Sequence, residues 1–259
     1  MAPGGGERRG EIDRALGYPY GRPSGSYVFG QSGAVPLDTY LREHGITLSE
    51  LISGSTPVLA IGSNASPEQL KRKSENRKNP LTGEIPVVRA ALRDFDVVYS
   101  AHIVSYGAVP ATLRRSEGVA AEIFVTWLDP DQLRAMHRSE AEGVNYDFIR
   151  LWDISVAPEA GEAMEEIYSY HSKWGCLEAG GRCVSLIGVP AVGRKFAAME
   201  QEEVQERVME LLGARGPVCD FIFENIDDEN LRRERNERLK KFSAPFGWDR
   251  FENCGGEGR

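Results

Sequence analysis

An apolar run, Val58-Leu59-Ala60-Ile61, stops at Gly62-Ser63-Asn64, and a helix begins almost at once. No other stretch of the chain constrains the fold as tightly. Ser66 reads as an N-cap, Pro67 as the first helical residue and Gln69 as N3, a Ser-x-x-Gln capping box. A strand that feeds a helix through a glycine loop leaves free backbone N–H groups at the helix start. Those donors and the helix dipole favour a bound anion such as a carboxylate. Gly62, Ser63 and Asn64 are therefore candidate binding residues, set against the plainer reading of an ordinary strand-to-helix turn.

The same helix-start grammar returns at Leu128-Asp129-Pro130-Asp131-Gln132. The helix that follows carries Leu133, Met136, His137 and Glu140 at i, i+3, i+4 and i+7, one face of the cylinder. Two of the four are apolar, so this face is expected to point inward, with Glu140 in the last turn. Burial and the negative end of the dipole both raise a carboxyl pKa. A glutamate tuned toward neutrality suits general acid–base work. The plainer alternative leaves Glu140 at a frayed helix end, facing water.

Between and after these helices the chain reads as strands. Val119, Ala121, Ile123, Val125 and Trp127 alternate with Ala120, Glu122, Phe124 and Thr126. Strands are also expected over 146–156, 166–171 and 182–189. Helices are few and fall irregularly between strands. The expected class is α+β, a mixed barrel-like β-sheet with a few flanking helices and a helical C-terminal extension. Three regions follow. Residues 1–55 form an N-terminal extension, rich in Gly, Arg and Pro over 1–26 and expected to be partly disordered. Tyr18-Pro19-Tyr20 and Tyr27-Val28-Phe29 interrupt its polarity and suggest a strap across the core. Residues 56–198 form the core. Residues 199–259 form helices docked on it: an amphipathic one over 200–212, then a charged one over 227–242. There Arg232-Arg233-Glu234-Arg235-Asn236-Glu237-Arg238 reads as a solvated helix face.

The 259 residues are 41% hydrophobic and 27% charged, with a net charge of −8. That charge argues against nucleic acid as a general partner, because phosphate binding needs a basic surface. It argues equally against an anionic membrane face, and no apolar run reaches transmembrane length. The four cysteines, Cys176, Cys183, Cys219 and Cys254, make no C-x-x-C pair, and the four histidines stand singly. Reduced thiols in a cytoplasmic protein are the expectation, with no metal site and no cofactor.

Several of these segments together resemble the gamma-glutamylcyclotransferase-like family. Ala60-Ile61-Gly62-Ser63-Asn64 resembles its Tyr-Gly-Ser-Asn loop, with Ile61 where the family has the aromatic residue. Ala90-Ala91-Leu92-Arg93-Asp94-Phe95-Asp96-Val97 looks like its next strand and turn. Gly107-Ala108-Val109-Pro110-Ala111-Thr112-Leu113 is similar to its G-x-x-P-A-T-L segment. Val119 to Glu140 resembles the strand and helix that deliver the family's catalytic glutamate, and Tyr146 and Arg150 fit the Tyr-x-x-x-Arg trend after it. The matches keep family order over roughly residues 57 to 190. The resemblance implies intramolecular attack by a gamma-glutamyl substrate's own α-amine on its γ-carbonyl. The products would be 5-oxoproline and a released amine, formed without metal or covalent intermediate. It also implies Glu140 as the acid–base group, with Glu142 as second choice. Ile61, Gly62, Ser63, Asn64 and Tyr146 would bind the substrate. The other reading is a non-catalytic small-molecule-binding or scaffold protein of the same fold. An inward Glu140 of raised pKa carries one further expectation, that Glu140→Gln costs no stability at neutral pH.

Overall fold

The computed structural model describes residues 5–140 and 143–255. An N-terminal helix, α1 (Gly5–Leu16), precedes a hairpin, β1 (Tyr27–Gly30) and β2 (Gly33–Pro36), and two short helices, α2 (Leu37–His44) and α3 (Leu48–Leu51). Next come β3 (Thr56–Ala60), helix α4 (Pro67–Ser74), and the long strands β4 (Ile85–Tyr99) and β5 (Ala111–Leu128). Helix α5 (Pro130–Ser139) leads into β6 (Tyr146–Pro158) and β7 (Met164–Ser172).

Strands β3 to β7 close on themselves in the order β5-β3-β7-β6-β4, because β4 also pairs with β5. Only the β3–β7 contact in this ring is parallel. The architecture is thus a mixed α+β fold around a five-stranded closed barrel. Closure removes the sheet edges that invite pairing with other chains. The alternation read in Val119–Trp127 is the period of β5. Ala121, Ile123 and Val125 join Leu59, Ile149, Leu151 and Ile167 in the largest apolar cluster. The alternate positions, with Phe124 beside Val58, Ala60 and Phe148, form a second cluster capped by Leu70 of α4 and Met136 of α5. Because both faces are covered, the strands read more apolar than a strict in–out pattern.

Disorder was the expectation for residues 1–26, yet α1 is helical and held. Arg8 donates to both carboxylate oxygens of Asp227 at 3.0 and 2.8 Å and lies over the Phe223 ring. Arg14 lies over Tyr106, and Ala15 and Tyr18 are buried. A second correction concerns the cysteines. Cys176 and Cys183 are joined as a disulfide, Cα atoms 5.9 Å apart, instead of standing as reduced thiols. They lie on one face of a tight antiparallel hairpin in which Glu178 opposes Cys183. Cys219 is an exposed free thiol.

The C-terminal helices α6 (Gln201–Leu212), α7 (Val218–Asp227) and α8 (Glu229–Leu239) contribute Val204, Val208, Leu212, Phe221 and Leu239 to the largest cluster. The charged helix expected over 227–242 is α8, capped by the Asp228 carboxylate and followed by a 3₁₀ turn over Lys240–Phe242; α7 before it was not expected. Polar side chains fix these helices to loop backbone. Gln201 bonds both the N–H and the C=O of Val109, and Gln205 donates to the Gly107 carbonyl at 2.7 Å. Asn236 accepts from the Ile103 N–H at 2.8 Å and donates to the Ile103 carbonyl at 3.0 Å. Both Ile103 groups are orphaned in Asn236→Leu. That variant should lose about 2–6 kcal/mol, at roughly 1–3 kcal/mol for each of the two buried unsatisfied groups. Chemical denaturation reads it directly, and an unchanged midpoint would show that water replaces Asn236 there. Among the described residues, no helix is long and apolar enough to cross a membrane.

Candidate functional site

The strand-to-helix junction opens on a cleft of about 680 Å³. Strand β3 ends at Ala60, Ile61 is buried, and Gly62 turns the chain into a one-turn 3₁₀ helix, Ser63–Ala65. A side chain at Gly62 has no room. A Cβ there would meet the Tyr18 hydroxyl at 2.2 Å and Ala111 Cβ at 3.3 Å. The Ser66 capping box does not form. The 3₁₀ turn takes the Ser66 N–H onto the Ser63 carbonyl at 2.9 Å, and Ser66 Oγ is buried without a partner. Pro67 does open α4. The second box forms as written: Gln132 N–H donates to Asp129 at 2.8 Å, and Asp129 N–H to Gln132 Oε1 at 3.0 Å.

That box fixes α5, and α5 delivers Glu140 one position past its last helical residue, as the C-cap. Glu140 Oε1 accepts from Asn64 Nδ2 at 3.1 Å, across 76 positions of sequence. It also pairs with Lys73, which stands in the last turn of α4 and has only 8% of its side chain exposed. Lys73 Nζ donates in addition to Ser139 Oγ at 2.9 Å and lies 3.0 Å from Met136 Sδ. Both contacts to Glu140 use Oε1, Glu140 lines the cleft, and no described residue bonds its Oε2. Ser139 donates to the Met136 carbonyl at 2.8 Å. Its neighbouring lysine is engaged by a carboxylate, so this pair does not have the form of a Ser–Lys nucleophile. The expectation that Glu140→Gln costs nothing is corrected here. It counted burial and the helix dipole but not a buried ammonium supplied 67 positions earlier.

All of Ile61, Gly62, Ser63, Asn64, Glu140 and Tyr146 line the cleft. Glu142 lies outside the described residues. Several lining groups were not singled out from the sequence as site residues, four of them polar and from distant elements. Tyr18 comes from the N-terminal arm, Tyr106 from the loop before β5, and Arg232 and Arg233 from α8. The run Arg232–Arg238 is therefore not simply a solvated face. Arg235, too, is buried over the Phe221 ring. Lys73 was also missed, although it follows buried Leu70 by three residues, a helical inward spacing. Burial raises the phenols of Tyr18, Tyr106 and Tyr146 above their ordinary range, so all three face the cleft as neutral donors. Among the described residues no three His, Cys, Asp or Glu side chains gather to hold a metal ion.

Behind the cleft wall, His102 is fully buried between Tyr146 and Trp174 and bonds Ser100 Oγ through Nδ1 at 2.7 Å. Burial lowers its pKa to about 3, and burial likewise lowers His171 to about 4. An unfolded chain protonates both near 6.5. Between these values the unfolded state binds more protons, so stability is full above about pH 6.5 and falls as pH drops toward 4. The slope approaches about 1.4 kcal/mol per pH unit for each histidine. Melting temperatures should fall between pH 7 and pH 4.5, and His102→Gln should flatten that dependence. An equally steep fall in the variant would assign it to other groups.

No protein-family model matches the chain, and no curated protein matches it. Solved structures do. The chain resembles a gamma-glutamyl cyclotransferase in structure. That match has a TM-score of 0.37 at 17% identity and covers 79% of this chain and 92% of the other. An uncharacterized protein from Homo sapiens aligns with a TM-score of 0.38 at 16% identity, over 76% of this chain and 92% of that one. YkqA from Bacillus subtilis aligns with a TM-score of 0.35 at 13% identity, over 87% and 73%. At such values a structural likeness says nothing of activity.

Proposed function

We propose that this protein is a cyclotransferase that releases 5-oxoproline from a gamma-glutamyl amine or peptide. The observation that supports the reading is the Glu140 carboxylate, held at Oε1 by Asn64 and Lys73 in the lining of the cleft. The substrate's α-amine attacks its own γ-carbonyl carbon. Glu140 Oε2 takes the proton that the amine sheds. The carbonyl electron pair returns, the γ-amide C–N bond breaks, and Glu140 gives its proton to the departing nitrogen. Nucleophile and electrophile belong to one molecule, so positioning supplies much of the rate, and one carboxyl manages both transfers. The loop Ile61–Asn64 and Tyr146 bind the substrate. The test is 5-oxoproline release from a panel of gamma-glutamyl amines and peptides. No release across the panel overturns the reading. One observation favours a non-catalytic binding protein instead: the Lys73 cation already occupies an oxygen of Glu140. Saturable binding of a gamma-glutamyl compound without turnover would establish that second reading.

A further inference from the structure

The N-terminal arm reaches into the cleft through one atom. The Ala111 N–H donates to the Tyr18 hydroxyl oxygen at 2.8 Å, and the Ser63 backbone amide lies close enough to act on the same hydroxyl. Gly62 packs so closely that any side chain there would collide with it. A phenol oxygen has two lone pairs and one hydrogen. Here one lone pair is committed to the backbone amide of β5, with the loop amide beside it. The hydrogen cannot point back at these donors, and no hydrogen bond from it to a described residue is present. Tyr18 lines the cleft and is near enough to Glu140 to feel its charge. A buried donor with no acceptor is costly unless a ligand supplies one.

We propose that Tyr18 is a catalytic residue: its hydroxyl donates to the γ-carbonyl oxygen of the substrate and stabilises the oxyanion formed when the α-amine attacks. The proposal rests on the cyclotransferase reading. In it the loop position held by Ile61 has no hydroxyl, and the N-terminal arm provides one at the same loop. As the new C–N bond forms, the carbonyl π pair moves to oxygen, and the Tyr18 O–H bond strengthens its contact without transferring its proton. When the pair returns, the leaving amine departs with the proton from Glu140. Burial keeps the phenol protonated throughout. The Ala111 amide holds it in place, so no reorganisation is needed as charge develops.

The experiment measures 5-oxoproline release by the full chain and by Tyr18→Phe, with kcat and KM separated and scaled to folded protein. Loss of one oxyanion donor is expected to lower kcat by about 10²–10³-fold with KM little changed. An unchanged kcat overturns the proposal. A wild-type chain without turnover overturns the cyclotransferase reading instead, so the two failures are distinct. If Tyr18→Phe does not fold, 3,5-difluorotyrosine placed at position 18 keeps the oxygen that Ala111 holds and makes the phenol more acidic. The alkaline limb of the rate profile should then move to lower pH. Glu140, Tyr20, Arg22, Tyr99, Tyr106 and Tyr146 are the titratable groups coupled to Tyr18, and none is altered by this change. An alkaline limb identical to wild type overturns the proposal.

Discussion

Glu140→Gln should release 5-oxoproline about 10²–10⁴-fold more slowly than the wild-type chain, the usual worth of a general acid–base group. Glutamine keeps the shape and can still accept from Asn64 and Lys73 through its amide oxygen, but it cannot carry a proton. The same change should also lower stability. Lys73 and Glu140 form an ion pair with 8% and 18% of their side chains exposed. Removing one charge strands the other where water reaches it poorly. Because Glu140 keeps some exposure, the cost is nearer about 2 kcal/mol than the full penalty of a buried pair, a fall of roughly 4–8 °C in melting temperature. Calorimetry and turnover on the same preparation separate the two effects. Equal turnover would remove Glu140 from the chemistry. Equal melting would mean that Lys73 finds another partner at no cost.

Ending the chain at Ala198 should leave a protein that does not fold. The segment beyond it supplies Val204, Val208, Met209, Leu212, Phe221, Ile222, Leu239 and Phe246, all buried. Each is worth about 2 kcal/mol when buried, and their sum rivals the whole net stability of a typical domain, about 5–15 kcal/mol. Polar losses add to this. The Val109 N–H and C=O, the Gly107 carbonyl and both Ile103 groups lose their side-chain partners. Circular dichroism and gel filtration of residues 1–198 test it. A soluble fragment melting within a few degrees of the full chain would show that the barrel needs no cover there.

How much of this was legible beforehand depends on how local each cause is. The strand alternation of β5 and the Asp129 capping box are set by neighbours in sequence, and both appear as read. Ser66 has the same grammar as Asp129, yet its box fails because a 3₁₀ turn before it has already claimed its N–H. Lys73 was invisible as a partner of Glu140 because the two meet only when α4 and α5 dock. Tyr18 was read as a strap but not as a loop ligand, since nothing in residues 1–26 reveals that the amides of Ser63 and Ala111 await an oxygen. Helix α7 was missed because its apolar face, Phe221 and Ile222, is covered by partners far along the chain.

The cleft draws its walls from Tyr18 near one end of the chain and from Asn236 near the other. Chains fold as they are made, amino end first. A nascent chain that has emerged as far as β7 holds all five strands of the barrel ring, yet the Ile103 wall waits for Asn236 of α8 to pin it. The pocket is thus completed only once α8 has emerged. A ribosome-bound chain halted before α8 has the glutamate and its loop but no finished chamber around them. Acquisition of ligand binding during translation would therefore be a late, single step rather than a gradual gain.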